Sequence, residues 1–159
     1  MSMERRRNLT MAKEKVDMRP FLMSVIDQQK LKTDKPCEIL LECPDDVTVM
    51  ADPTHFANVM GNLIDNSVKY SGDRVTVVIR ADMNGVSVTD NGIGIPERSL
   101  TDIWSKFYRV PRGNRIHVRG YGIGLFYVKS IVNKHGWTID AESKEGKGSR
   151  FTIKFRKDE

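Results

Sequence analysis

DPTHFANVMGNLIDNSVKYSGDRVTVVIRADMNGVSVTDNGIGI, residues 52–95, carries a long helix signal that runs directly into a paired-strand signal. Asp52 is an N-cap candidate, Pro53 suits the first helical position, and Phe56, Val59, Met60, Leu63 and Ile64 follow the helical period. The spacing predicts a helix to about Tyr70, stopping before Ser71 and Gly72. Residues 74–81 and 85–90 are rich in β-branched side chains and are separated by the turn Asp82, Met83, Asn84, Gly85, which predicts a hairpin. A helix followed by a hairpin, rather than by a single strand, argues against a chain of parallel βαβ units.

The flanking sequence extends this pattern. Upstream, residues 19–31 place Phe21, Leu22, Val25, Ile26 and Leu31 on one helical face. Ile39, Leu41 and Cys43 alternate with polar residues ahead of a Pro44, Asp45, Asp46 turn and the apolar run Val47 to Met50, so two strands are expected there. Residues 4–16 are polar and basic with scattered apolar positions, which predicts an exposed helix or its frayed end; residues 1–15 are expected to be the remnant of a preceding helix or linker. Downstream, residues 108–121 hold four arginines, two glycines and a proline without a sustained period and are expected to be a mobile loop. Helical spacing returns over residues 124–134, and strands are expected at 137–141 and 149–155 around the turn KEGKG. The expected architecture is an α/β sandwich in two layers: a mixed, largely antiparallel sheet with helices on one face.

Composition narrows the function. The 159 residues, 39% hydrophobic, suit one domain with an ordinary core. The net charge of +5 is spread over 30% charged residues of both signs, which describes a solvated surface rather than a nucleic-acid footprint. Cys37 and Cys43 are not a CxxC pair and have no His or Cys cluster near them, so idle thiols in a reducing compartment are expected. No apolar run is long enough to span a membrane and no signal-peptide pattern opens the chain, so a cytoplasmic fragment without membrane contact is expected.

Three stretches carry candidate chemistry. The period of two puts Val86, Val88 and Asp90 on one strand face, so a carboxylate ends an apolar row. It either caps the Asn91, Gly92 turn, or it accepts a hydrogen bond from an exocyclic amine, with Gly92 and Gly94 making room for a flat ring. On the long helix, Asn58, Asn62, Asn66 and Lys69 form a stripe beside the apolar arc. That stripe is either an exposed polar face or a set of amide oxygens for a hard cation such as magnesium, with Lys69 facing the same anion. Finally, RGYGIGL (119–125) has three glycines spaced by one residue that open into a helix, either a hinge or a phosphate-binding start, preceded by Arg109, Arg112, Arg115 and Arg119.

Taken in order, these pieces resemble the catalytic ATP-binding domain of the sensor histidine kinases, within the wider group that includes gyrase, Hsp90 and MutL. NLIDNSVKY (62–70) is similar to the asparagine box, DNGIGI (90–95) to the first glycine box and IWSKFYR (103–109) to the phenylalanine box. GYGIGL (120–125) resembles the second glycine box and GKGSRF (146–151) the final glycine turn, so the likeness spans residues 16–156 or so. Trp104 stands where phenylalanine is usual, and Trp137 where a second glycine is common.

The resemblance implies the Bergerat-type ATP-binding fold, with ATP and Mg2+ as ligands. It implies that Asn66, helped by Asn62, coordinates magnesium, that Lys69 contacts phosphates and that Tyr70 packs near adenine. Asp90 would accept from the adenine amino group, with Gly92, Gly94 and Ile95 shaping that pocket. Gly120, Tyr121, Gly122, Ile123, Gly124 and Leu125 would form the hinge of a lid that meets the phosphates, and Arg109 or Arg119 would offset their charge. Hydrolysing members of the group resemble each other in placing a glutamate base four residues before the magnesium asparagine; here that position is Asn62, so transfer rather than hydrolysis is implied. The acceptor histidine would lie on a separate dimerisation hairpin of a longer homodimeric sensor, anchored in the inner membrane in many such proteins and passing phosphate to a response regulator. His55, His117 and His135 lack the context of an acceptor and are expected to be structural or surface residues. An anti-sigma-type serine kinase and a non-catalytic binding module on the same fold are the alternatives.

Overall fold

The computed structural model describes residues 11–34, 36–69, 74–105 and 124–155. Within these residues seven strands and three helices follow in the order β1 (Glu14–Asp17), α1 (Met18–Lys30), β2 (Cys37–Glu42), β3 (Thr48–Ala51), α2 (Pro53–Lys69), β4 (Val75–Asp82), β5 (Gly85–Asp90), α3 (Gly124–Lys134), β6 (Thr138–Lys144) and β7 (Gly148–Lys154), with a 3-10 turn at Glu97–Ser99. β2, β4, β5, β7 and β6 form one sheet in that order, parallel between β2 and β4 and antiparallel elsewhere. β1 and β3 form a separate antiparallel pair.

The hairpin predicted for residues 74–90 is present, with Ile79 opposite Val88 and Val77 opposite Asp90. Asp82 builds its turn by accepting hydrogen bonds from the Asn84 and Gly85 amides. Burial alternates along β4 and β7, and Val75, Val77, Ile79, Val86, Val88, Phe151 and Ile153 face the helices. The three helices therefore cover one face of a mixed, largely antiparallel sheet, as the pattern predicts.

α2 lies centrally, in contact with α1, α3 and the sheet. Phe56 has no exposure and collects three rings: Phe21 stacked at 4.9 Å, Trp137 edge-on at 5.3 Å and Phe155 edge-on at 6.3 Å. Removing such a ring from a packed core costs about 3–5 kcal/mol. The N-terminus of α2 is closed by Asp52, whose Oδ1 accepts from the Thr54 and His55 amides at 3.0 Å each. Its Oδ2 accepts from the Ala12 amide at 2.9 Å, which straps the start of the described chain to this helix.

One expectation changes. Residues 14–16 lie in β1 rather than in a helix, because Glu14 to Asp17 pair with Ala51 to Thr48 and Val16 is buried. The two strands expected around the Pro44 turn are present, each with a distant partner: β2 joins β4 and β3 joins β1. Alternation reports a strand but not its partner, which is set by the packing of more distant segments.

Candidate functional site

Asp90 closes β5 on the buried face, directly opposite Ser149 of β7 and Val77 of β4. Its Oδ1 accepts from the Gly92 amide at 2.8 Å and the Ser149 amide at 3.2 Å, and its Oδ2 accepts from the Ser67 hydroxyl at 2.8 Å. The bond from Gly92 is the turn cap expected of an aspartate in this setting. The other two come from α2 and β7, so the carboxylate is also a junction of three elements. Burial pushes the Asp90 carboxyl above the usual carboxylate range, against the opposing pull of the Gly92, Ser67 and Ser149 donors.

The glycine loop after β5 packs against the β6–β7 turn. Gly94 has φ +77°, and a Cβ there would lie 2.2 Å from the Lys144 carbonyl oxygen. Gly148 has φ +120°, and its Cβ would lie 2.1 Å from the Asp90 carbonyl oxygen. The Ile93 carbonyl accepts from the Gly146 amide at 2.8 Å, and the Ser143 hydroxyl accepts from the Ile95 amide at 2.6 Å. Gly94 therefore makes room for neighbouring backbone, a different reason from the flat ring anticipated for it. Gly92 is buried, and Ile95 is half-buried against the core.

The asparagine stripe of α2 faces α3. The Asn58 amide is 3.5 Å from the Tyr127 hydroxyl, which also sits 3.0 Å from His55 Nδ1. One turn on, the Asn62 amide nitrogen donates to the Asn58 carbonyl at 2.9 Å, which frees Oδ1 on the other side. That oxygen bounds the space at the start of α3, where a Cβ on Gly124 would meet it at 3.2 Å. Asn66 is half-buried, and among the described residues no side chain pairs with it. Lys69 is paired with Asp65 at 3.0 Å rather than standing free. Leu125 is half-buried and packs on the core.

Asn62, Asn66 and Lys69 thus occupy successive turns of one helix, whose buried Ser67 reaches Asp90. Tyr70, Arg109, Arg119, Gly120, Tyr121, Gly122, Ile123 and His117 lie outside the described residues. Trp104 packs edge-on against Phe151 at 5.9 Å, with the Lys129 ammonium 5.1 Å from its ring. His55 and His135 are held in contacts of the fold, with Tyr127 and with the Asp52 amide respectively.

Ser67, Ser143, Ser149 and Gly148 were not among the expected site residues. A signal for two of them exists in the sequence: Ser67 falls inside the apolar arc of α2, and Ser149 continues the buried row of Phe151 and Ile153. A buried hydroxyl in an apolar row needs a partner: that of Ser67 donates to Asp90, whereas that of Ser149 pairs with the Ser143 hydroxyl and the Ser149 amide reaches Asp90.

An amide-only oxygen set can hold a magnesium ion only in part, so the ion would keep waters or bring phosphate oxygens with it. Asn62 Oδ1 and the Asn66 side chain fit that use, and among the described residues no cluster of three or more His, Cys, Asp or Glu offers a rival cage. Among the described residues, no helix is long and apolar enough to cross a membrane.

Residues 51–159 match the family described as histidine kinase-, DNA gyrase B-, and HSP90-like ATPase. The chain is 36% identical over 162 residues to the sensor protein RprX of Bacteroides fragilis, covering 96% of this chain and 31% of that protein. It is 32% identical over 148 residues to the sensor histidine kinase WalK of Bacillus subtilis, covering 87% of this chain and 24% of that protein. The chain therefore spans a third or less of the length of these relatives. Among solved structures, a nucleotide-free catalytic domain of histidine kinase ThkA is similar with a TM-score of 0.79 at 25% identity, covering 92% of this chain and 97% of that one. The mycobacterial sensor histidine kinase MprB shares the fold with a TM-score of 0.77 at 23% identity, covering 89% of this chain and 97% of that one.

Proposed function

Because this chain belongs to the family of histidine kinase-, DNA gyrase B- and HSP90-like ATPases, we propose that it is the catalytic part of a two-component sensor histidine kinase. In this reading it binds ATP with magnesium between α2, the end of β5 and the start of α3. It delivers the γ-phosphate to a histidine on a dimerisation hairpin of the longer homodimeric protein, which then serves a response regulator. The observation that carries the reading is the Asp90 carboxylate, fixed at a strand end by donors from α2, β7 and its own loop.

Each residue has a role in that pocket. Asp90 accepts from the adenine amino group, and the loop of Gly92, Gly94 and Ile95, bolted to the β6–β7 turn, sets the depth of the base site. Asn66 and Asn62 Oδ1 would hold the magnesium ion, whose chemistry is to neutralise phosphate charge and align the transferred group. Lys69 can leave Asp65 for a phosphate at small cost, since a half-exposed i, i+4 pair is worth only about 0.3–0.5 kcal/mol. The positive end of the α3 dipole, at Gly124, favours the same anion. Asn62 lacks the basicity to activate water, and its nitrogen is committed to the Asn58 carbonyl. The site is thus suited to positioning a phosphoryl group for an acceptor brought from elsewhere.

Titration calorimetry with ATP and magnesium tests this directly. The wild-type chain is expected to bind, and Asp90→Asn to bind far more weakly. A chain that does not bind nucleotide would instead fit a non-catalytic module on the same fold.

A further inference from the structure

We propose that Ser67 is a positioning residue for base selection: its hydroxyl holds the Asp90 carboxylate so that the pocket presents only hydrogen-bond acceptors to the 6-position of a purine. The proposal rests on the reading of Asp90 as the base-contacting group. Ser67 is 3% exposed, on the apolar face of α2 between Ile64 and Val68. A hydroxyl has one proton to donate, and here it goes to Asp90 Oδ2 at 2.8 Å. What the hydroxyl still offers is lone pairs.

The two carboxylate oxygens are not equivalent. Oδ1 is occupied by two backbone donors, Gly92 and Ser149, whereas among the described residues Oδ2 accepts only from Ser67. Each carboxylate oxygen has room for about two donors, so the position left for an incoming amine is on Oδ2, beside the Ser67 oxygen. An exocyclic amine is a donor and fits there. A 6-keto oxygen is an acceptor and is opposed by both atoms.

Loss of the Ser67 hydroxyl would leave Oδ2 without a protein donor. The carboxyl is already pushed toward its protonated form by burial, with Ser67 among the groups that pull it back. A protonated or rotated carboxyl can donate, and the selectivity for an amine over a carbonyl would relax.

The test is calorimetric titration, with magnesium present, of ATP, purine riboside triphosphate (which lacks the exocyclic group) and inosine triphosphate (which carries the keto group). The proteins are wild type, Ser67→Ala, Ser67→Thr and Asp90→Ala. Ser67→Ala is expected to weaken ATP roughly three- to tenfold, the worth of one ordinary hydrogen bond, while purine riboside triphosphate changes by less than about twofold. Its discrimination against inosine triphosphate should fall, and Ser67→Thr, which keeps the hydroxyl, should restore wild-type selectivity. Equal weakening of all three nucleotides in Ser67→Ala would overturn the proposal in favour of a purely structural hydroxyl. Unchanged selectivity in Ser67→Ala, with selectivity lost in Asp90→Ala, would overturn it while leaving Asp90 as the base reader. Full selectivity retained in Asp90→Ala would overturn both.

Discussion

His135 is buried with both ring nitrogens facing backbone: Nε2 lies 3.1 Å from the Asp52 amide and Nδ1 2.9 Å from the Ile131 carbonyl. The amide can only donate and the carbonyl can only accept, so the ring is neutral with its proton on Nδ1. The ring also stacks on Trp137 at 4.3 Å. Burial pushes its pKa down, joined by Lys13 and His55, while the Ile131 carbonyl and Asp52 pull it up. A folded pKa below the unfolded value, about 6.5, means that the unfolded chain binds the proton more readily. The stability contributed by neutral His135 is therefore present above about pH 6.5 and is lost as pH falls toward the folded pKa. Urea unfolding at pH 7.5 and pH 5.5 checks the sign. The wild type should be less stable at the lower pH, and His135→Asn should show a smaller difference between the two. The Asp52 carboxylate cannot produce that effect. Burial raises its pKa, but the Ala12, His55 and Thr54 donors and the His55 charge outweigh this and lower it, so its contribution is lost only under more acidic conditions.

At the scale of elements, the β6–β7 turn acts as the floor of the glycine loop. Contact between the two is backbone against backbone at Gly94 with Lys144 and at Gly148 with Asp90, which leaves no space for a side chain at either glycine. Both also have positive φ. Gly94→Ala is expected to cost about 2–3 kcal/mol from strain and displacement of the turn, lowering Tm by roughly 5–10 °C for a domain of this size. Gly146 has φ +83° but faces open space, so Gly146→Ala should cost less, about 1 kcal/mol from the backbone alone. Thermal unfolding of the two variants separates the contributions, and equal losses would show that the close contact with Lys144 carries no weight. The glycines were legible from the chain as turn positions; the partner of Gly94 was not. It is 50 residues away in sequence, on a hairpin whose approach depends on the pairing of β5 with β7. The same limit explains β1, whose sequence EKVD has one apolar residue and owes its strand form to β3 and to the Asp52 strap. By contrast α2 and the β4–β5 hairpin were legible at near-residue detail, because period, cap and turn chemistry there are local.

For the molecule as a whole, Asp90, Asn62 and Asn66 stood out because acids and amides are conspicuous in or beside apolar patterns. The signal of Ser67 and Ser149 is fainter, because small hydroxyls interrupt such patterns so little. The consequence of the site lies in what it lacks. The position that would carry a base is Asn62, tied to the Asn58 carbonyl, and His55 and His135 are committed to Tyr127 and to the Asp52 amide. A pocket of this kind can bind ATP and align its terminal phosphate, but among the described residues it shows neither a water-activating group nor an acceptor histidine beside it. The isolated chain is therefore expected to hydrolyse ATP on the order of 10⁻³ s⁻¹ or more slowly, as phosphoryl-transfer sites do without an assisting group. If the proposed division of labour holds, incubation with γ-labelled ATP should leave this chain unlabelled, whereas addition of a histidine hairpin from the longer protein should produce an acid-labile label on that hairpin. Asn66→Ala should abolish that transfer. A label on this chain alone, or rapid turnover without the hairpin, would mean that the acceptor or the base lies within these 159 residues, and the division of labour between two parts of a longer kinase would have to be abandoned.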